Sequence, residues 1–159
     1  MKRSGFTLIE LMIVVAIVAF LAMVAVPSFT NFLSKAKRAE AYMNLNSIYA
    51  AQKAYWAEHG TYATALNGPD GIGWKPEGYR GGGSGENFYY TYGFANGTEG
   101  KHYFTGKLGA ESAHLAQARA GKDGFLIIAA GDIDGDGKPD ILSVDQHNNI
   151  TILQDDLSD

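Results

Sequence analysis

The chain has 159 residues, enough for one domain of ordinary size, and its hydrophobic share of 46% with 12% aromatic residues indicates a packed core. Net charge is −4, so no basic surface for nucleic acid is expected, and the lack of cysteine excludes disulfides, thiol catalysis, zinc–thiolate sites and iron–sulfur clusters. Composition is uneven: apolar residues crowd the first third, glycine the middle and aspartate the end.

Residues 1–5 read MKRSG, short and basic. From Phe6 to Val26 the chain is FTLIELMIVVAIVAFLAMVAV, with Glu10 as its single ionisable residue. About 20 apolar residues suffice to cross a hydrocarbon core of ~30 Å, so the run qualifies as a membrane span. It exceeds the ~7–15 residues of a signal-peptide apolar region. A cleaved secretory signal, with Lys2 and Arg3 in front and a cut near Ala22 or Ala25, is the plainer alternative. Two features oppose it: helical patterning continues past the run, and Glu10 lies inside it.

A carboxylate at the bilayer centre costs about 2.5–3.5 kcal/mol and calls for a partner. No Lys, Arg or His lies between Phe6 and Ser34. The partner therefore comes from another chain or from processing. A cut between Gly5 and Phe6 would create a cationic α-amino group at the start of the same helix, which a neighbouring copy could offer to Glu10. The alternative is a carboxylate near the interface that is simply protonated or solvated. Pro27 follows the span and either kinks a continuing helix or ends it, with a second helix starting there.

The string SGFTLIELMIVVAIVAFLAMVAVPSF resembles the N-terminus of type IV prepilins and of the related pseudopilins of type II secretion. The likeness covers roughly the first 60 residues and rests on the basic leader, the Gly–Phe junction, Thr-Leu-Ile-Glu and a span ending at proline. It implies an α+β pilin fold: a long N-terminal helix, half membrane-embedded, whose C-terminal half packs on an antiparallel β-sheet head. It implies that a prepilin peptidase removes leader 1–5 by cutting after Gly5 and methylates Phe6. Glu10 then becomes the assembly residue, neutralising the Phe6 amine of a neighbour, and Pro27 marks a helix kink. The implied product is a helical homo-oligomeric filament, a type IV pilus or a periplasmic pseudopilus. An assembly ATPase and a platform protein would build it from a precursor held in the bacterial inner membrane. On this reading 6–27 is the filament-core helix, 28–59 an amphipathic helix and 60–159 the head.

Helical periodicity resumes from Phe29 to Glu58. Phe29, Phe32, Leu33, Ala36 and Ala39 form one stripe, expected between subunits. Leu45, Ile48, Tyr49, Gln52, Tyr55 and Trp56 form another, expected under the sheet. Lys35, Lys37, Arg38 and Glu40 mark a polar side, and His59–Gly60 suits a helix end. An aromatic stripe at this spacing indicates packing before electron transfer. Residues 60–87 are rich in glycine and read as a flexible surface loop, with Trp74 and Tyr79 as its anchors. Residues 88–94 and 102–107 read as a hairpin around Asn96–Gly97, and 110–120 as a short helix. Residues 125–131 (FLIIAAG) read as a buried strand, followed by strands at ILSV and ITIL and a frayed acidic tail.

Between the first two of those last strands lies Asp132-Ile-Asp134-Gly-Asp136-Gly137-Lys138-Pro-Asp140. Aspartates at positions 1, 3 and 5 with glycine at 6 match the start of a Ca2+ loop, in which oxygen donors surround the ion. The expected ligands are Asp132, Asp134, Asp136, the Lys138 carbonyl and Asp140, with Asp145 as a further possibility. Position 12 is Ser143 and no helices flank the loop, so it is not an EF-hand. Similar loops in some pilins and in calcium-binding major pseudopilins imply a structural Ca2+. The plain alternative is a metal-free Asp/Gly turn. The four histidines lack paired metal spacing, and no catalytic set stands out. The functions in contention are a pilus subunit, a major pseudopilin, a membrane-tethered calcium-binding domain that never polymerises and, last, a secreted enzyme.

Overall fold

A computed structural model describes residues 5–158. The leader expected over 1–5 falls, apart from Gly5, outside them. One helix, α1, runs Leu8–His59 and carries Pro27 inside it. Proline removes one backbone donor there, and Thr30 Oγ1 donates to the Pro27 carbonyl at 2.9 Å. The helix stops at Gly60, whose φ of 68° is the left-handed conformation that ends a helix most readily without a Cβ. The chain divides into two compact units, one through Leu33 and one from Ser34, so the division lies beyond the proline.

The first unit is an apolar helical segment with no core of its own. Phe6 is 83% exposed, and large apolar side chains from Leu8 to Leu33 stay exposed on all sides.

The second unit packs α1 from Ser34 onward against an antiparallel sheet. Its strands are β1 (Thr91–Gly93), β2 (Tyr103–Phe104), β3 (Arg119–Ala120), β4 (Phe125–Gly131), β5 (Asp140–Asp145) and β6 (Ile150–Gln154). The order is β2-β1-β4-β5-β6, with β3 paired to the start of β4. The unbroken apolar run of β4 has a packing reason: both faces are covered. Ile127 and Ala129 join the cluster made with Ala41, Leu45 and Ile48 of α1. Ile128 and Ala130 join Ala110 and Leu115 on the other side. A strand buried on both faces needs no alternation.

Several expectations are corrected. The helix expected over 110–120 is a 3₁₀ turn, Ser112–Leu115, followed by β3. Leu115 is buried against β4, so this stretch serves as a lid on the second face of the sheet. The hairpin is shorter than its β-forming residues suggest, pairing Tyr92 with Phe104 and Gly93 with Tyr103. The polar side of the helix turns inward: Lys37 Nζ donates to the Ile133 carbonyl at 2.6 Å, and Glu40 Oε1 accepts from the Tyr89 N–H at 2.9 Å. These long side chains tie loops to the helix, which hydropathy cannot foretell. The glycine-rich stretch is anchored as expected, with Trp74 Nε1 donating to Ser47 Oγ at 3.1 Å and the Tyr79 ring edge-on to Phe104 at 4.7 Å. It is also pinned inside, where Glu86 Oε1 accepts from the N–H groups of Arg80 and Gly82, both at 2.8 Å.

Candidate functional sites

At the N-terminus Gly5 and Phe6 are exposed coil ahead of α1. Glu10 lies in the first helical turn and is engaged by Thr7. Its Oε2 accepts from the Thr7 N–H at 2.8 Å and from the Thr7 hydroxyl at 2.7 Å. The Glu10 N–H donates in return to Thr7 Oγ1 at 3.3 Å. This is a reciprocal capping box, which satisfies donors that the first turn leaves without partners. Sequence reasoning missed it, although Thr-x-x-Glu before an apolar run is its signature. Glu10 thus has a local role in a single chain, beside any role it takes between chains.

The aspartate turn joins β4 to β5. Asp132 folds it inward, Oδ1 accepting from the Gly135 N–H at 2.7 Å and Oδ2 from the Gly137 N–H at 3.0 Å. Gly135 and Gly137 have φ near +90°, which side chains rarely adopt. Asp134 Oδ1 accepts from the Asp136 N–H, and Asp136 Oδ1 from the Lys138 N–H. The Lys138 ammonium pairs with Asp136 at 3.6 Å.

Asp140 stands apart from this cluster. It is fully buried, and its carboxylate receives Arg38 Nε at 2.9 Å, Arg38 Nη2 at 2.6 Å and the Tyr90 hydroxyl at 2.6 Å. Burial, and then the bond to Asp140, push the Tyr90 hydroxyl up, so it stays a donor. The fourth carboxylate beside Asp132, Asp134 and Asp136 is Asp156, from the segment after β6. An oxygen from each lies within 4.8 Å of the others. Asp145, the further possibility, instead caps the β5–β6 turn, its Oδ1 accepting from the N–H groups of His147 and Asn149.

The expected frayed tail is docked. Asp155 accepts from Arg38, the Asp156 N–H donates to Asp140 Oδ1 at 3.3 Å, and Leu157 packs on the main core. A tail of charged residues looks solvated in sequence; the signal that it docks is the lone apolar Leu157 among acids, which is too weak to read alone.

Fold and N-terminal segment together define the class: a helix with an exposed apolar half, followed by an antiparallel head packed on its other half. The model of the prokaryotic N-terminal methylation motif matches residues 1–26. The chain is 46% identical to the type IV major pilin protein PilA of Myxococcus xanthus, over 48% of this chain and 33% of that protein. It is 40% identical to the type IV major pilin protein PilE1 of Neisseria gonorrhoeae, over 44% of this chain and 32% of that protein. It is 37% identical to the prepilin peptidase-dependent protein D of Escherichia coli, over 45% and 49%. The chain thus spans a third to a half of the length of these relatives. The N-terminal segment of the chain is thus similar to that of type IV major pilins.

Proposed function

We propose that this chain is the structural subunit of a type IV pilus. The observation that carries the reading is the segment from Phe6 to Leu33: apolar, helical from Leu8, exposed on every side, and ionisable only at Glu10. Such a surface demands a bilayer before assembly and other copies of itself afterwards. Removal of the leader after Gly5 by a prepilin peptidase would free the Phe6 amine, which methylation leaves cationic. In the filament Glu10 of one subunit neutralises that amine on its neighbour, an ion pair formed in a low-dielectric core where an unpaired charge is costly. An assembly ATPase and a platform protein would move the subunit from the inner membrane into an extracellular pilus. A pseudopilus of type II secretion would use the same steps.

One observation favours a plain membrane anchor instead: Glu10 already caps its own helix through Thr7. Glu10→Gln separates the two readings, because glutamine keeps the capping box and removes the charge. The subunit reading expects Glu10→Gln to insert into the membrane normally and to abolish filaments. Wild-type amounts of sheared filament from that variant would leave only the anchor. Mass spectrometry of the wild-type filament should show this chain as the dominant component, beginning at N-methylated Phe6, and Gly5→Asp should leave the leader attached.

A further inference from the structure

The three aspartates of the β4–β5 turn use oxygens to bond the backbone N–H groups of that same turn. Such bonding makes a stable turn and asks for no ion. Asp156 is different. It reaches the turn from the far end of the chain and is only 4% exposed. Its Oδ2 accepts from the Ile133 N–H at 2.9 Å, while Oδ1 is buried with no hydrogen-bond partner. Buried polar atoms nearly always find a partner, and a carboxylate set among three others needs a positive one. Arg38 is held by Asp140 and Asp155 and Lys37 by the Ile133 carbonyl, while Lys138 pairs with the exposed Asp136 at the rim of the turn, and Asp156 Oδ1 receives a hydrogen bond from none of them.

We propose that Asp132, Asp134, Asp136 and Asp156 form a divalent-cation site, suited to Ca2+, in which the ion fastens the C-terminal tail to the β4–β5 turn. Every donor is a hard oxygen, with no nitrogen or sulfur, which selects Ca2+ or Mg2+ over transition metals. The carboxylates sit on a glycine-hinged turn and a separate segment, a flexible set that suits the larger, less demanding Ca2+. The ion completes a ring of contacts: tail Asp155 to Arg38 of α1, Arg38 to Asp140 of β5, the turn back through Asp132 to Asp156. Asp140 takes no part as a ligand. This site stands whether or not the subunit polymerises.

The test uses the full chain in detergent micelles, stripped with EDTA and titrated calorimetrically with CaCl2. One ion per chain is expected, with Mg2+ at least tenfold weaker. Asp156→Asn and Asp136→Asn should each weaken Ca2+ at least tenfold, while Asp123→Asn, on the surface elsewhere, should not. Asp136 is exposed, so its variant reads the site even if Asp156→Asn fails to fold. Ca2+ should also slow carboxypeptidase digestion of the wild-type tail and leave that of Asp156→Asn unchanged. No binding at millimolar Ca2+, binding untouched by both ligand variants, or binding without tail protection would each overturn the proposal.

Discussion

Glu40 lies half buried between α1 and the residues leading into β1, accepting from the Tyr89 N–H and from the Tyr92 hydroxyl at 3.3 Å. Burial raises its carboxyl above the ordinary 4.5, and these hydrogen bonds only partly offset it. A raised folded value means that the proton binds more readily in the folded chain. The stability this contributes is complete below 4.5 and is lost as pH climbs through the folded value. Glu40→Gln keeps an acceptor and removes the titration. Its melting temperature should exceed that of the wild type near neutrality, with the gap closing as pH falls towards 4.5. A gap of constant size across that range would contradict the assignment. Sequence spacing marked Glu40 only as polar; what decides its chemistry is burial beside Tyr89 and Tyr92, some fifty positions away.

The pair Arg38–Asp140 joins two elements, the helix and the edge of β5, with the arginine side chain 13% and the aspartate 0% exposed. A buried pair adds little over a well-packed apolar pair, but removing one partner strands the other charge, at a cost of about 3–5 kcal/mol. Arg38→Met should therefore lower unfolding stability by roughly 3 kcal/mol in chemical denaturation of the full chain, since Tyr90 still donates to Asp140. A loss within the surface range, below about 1 kcal/mol, would show that the pair is solvated. Gln52 ties the same helix to the chain beyond it, exchanging two bonds with Ala63 at 2.8 and 3.0 Å. Gln52 stands in the stripe expected under the sheet and is buried there, whereas Arg38, which spacing marked only as polar, turns to Asp140. The helix docks with Ala41, Leu45 and Ile48 at its centre, and polar residues around them bond to loops. By contrast β4 was legible at once, because a strand covered on both faces must be apolar throughout.

For the molecule as a whole, the two units have opposite relations to solvent. The segment through Leu33 exposes large apolar side chains throughout, whereas the unit from Ser34 encloses an aromatic and aliphatic core. Exposed apolar patches beyond a few hundred Å² drive association in water. A chain cut to residues 34–159 should therefore remain soluble, monomeric and cooperative in thermal unfolding. The full chain should need detergent for a single peak in size-exclusion chromatography. A truncated chain that aggregates or melts without cooperativity would show that the head borrows stability from the removed segment.

The apolar run and its single carboxylate at Glu10 were legible from sequence alone, because the length and composition of a contiguous segment suffice to mark a candidate membrane span. So were the helical periodicity from Phe29 to Glu58 and the acidic turn, both products of short-range spacing, whereas the single helix running through Pro27 was decided by the structure. Only the tertiary structure decided which carboxylates meet. Asp140 sits eight residues from Asp132 yet turns to Arg38, and Asp156, twenty-four residues away, closes the cluster. The reason is geometric: once β5 and β6 pair antiparallel, the chain after β6 returns to the turn where β5 began, and Asp156, in a tail that reads as solvent-exposed, becomes buried.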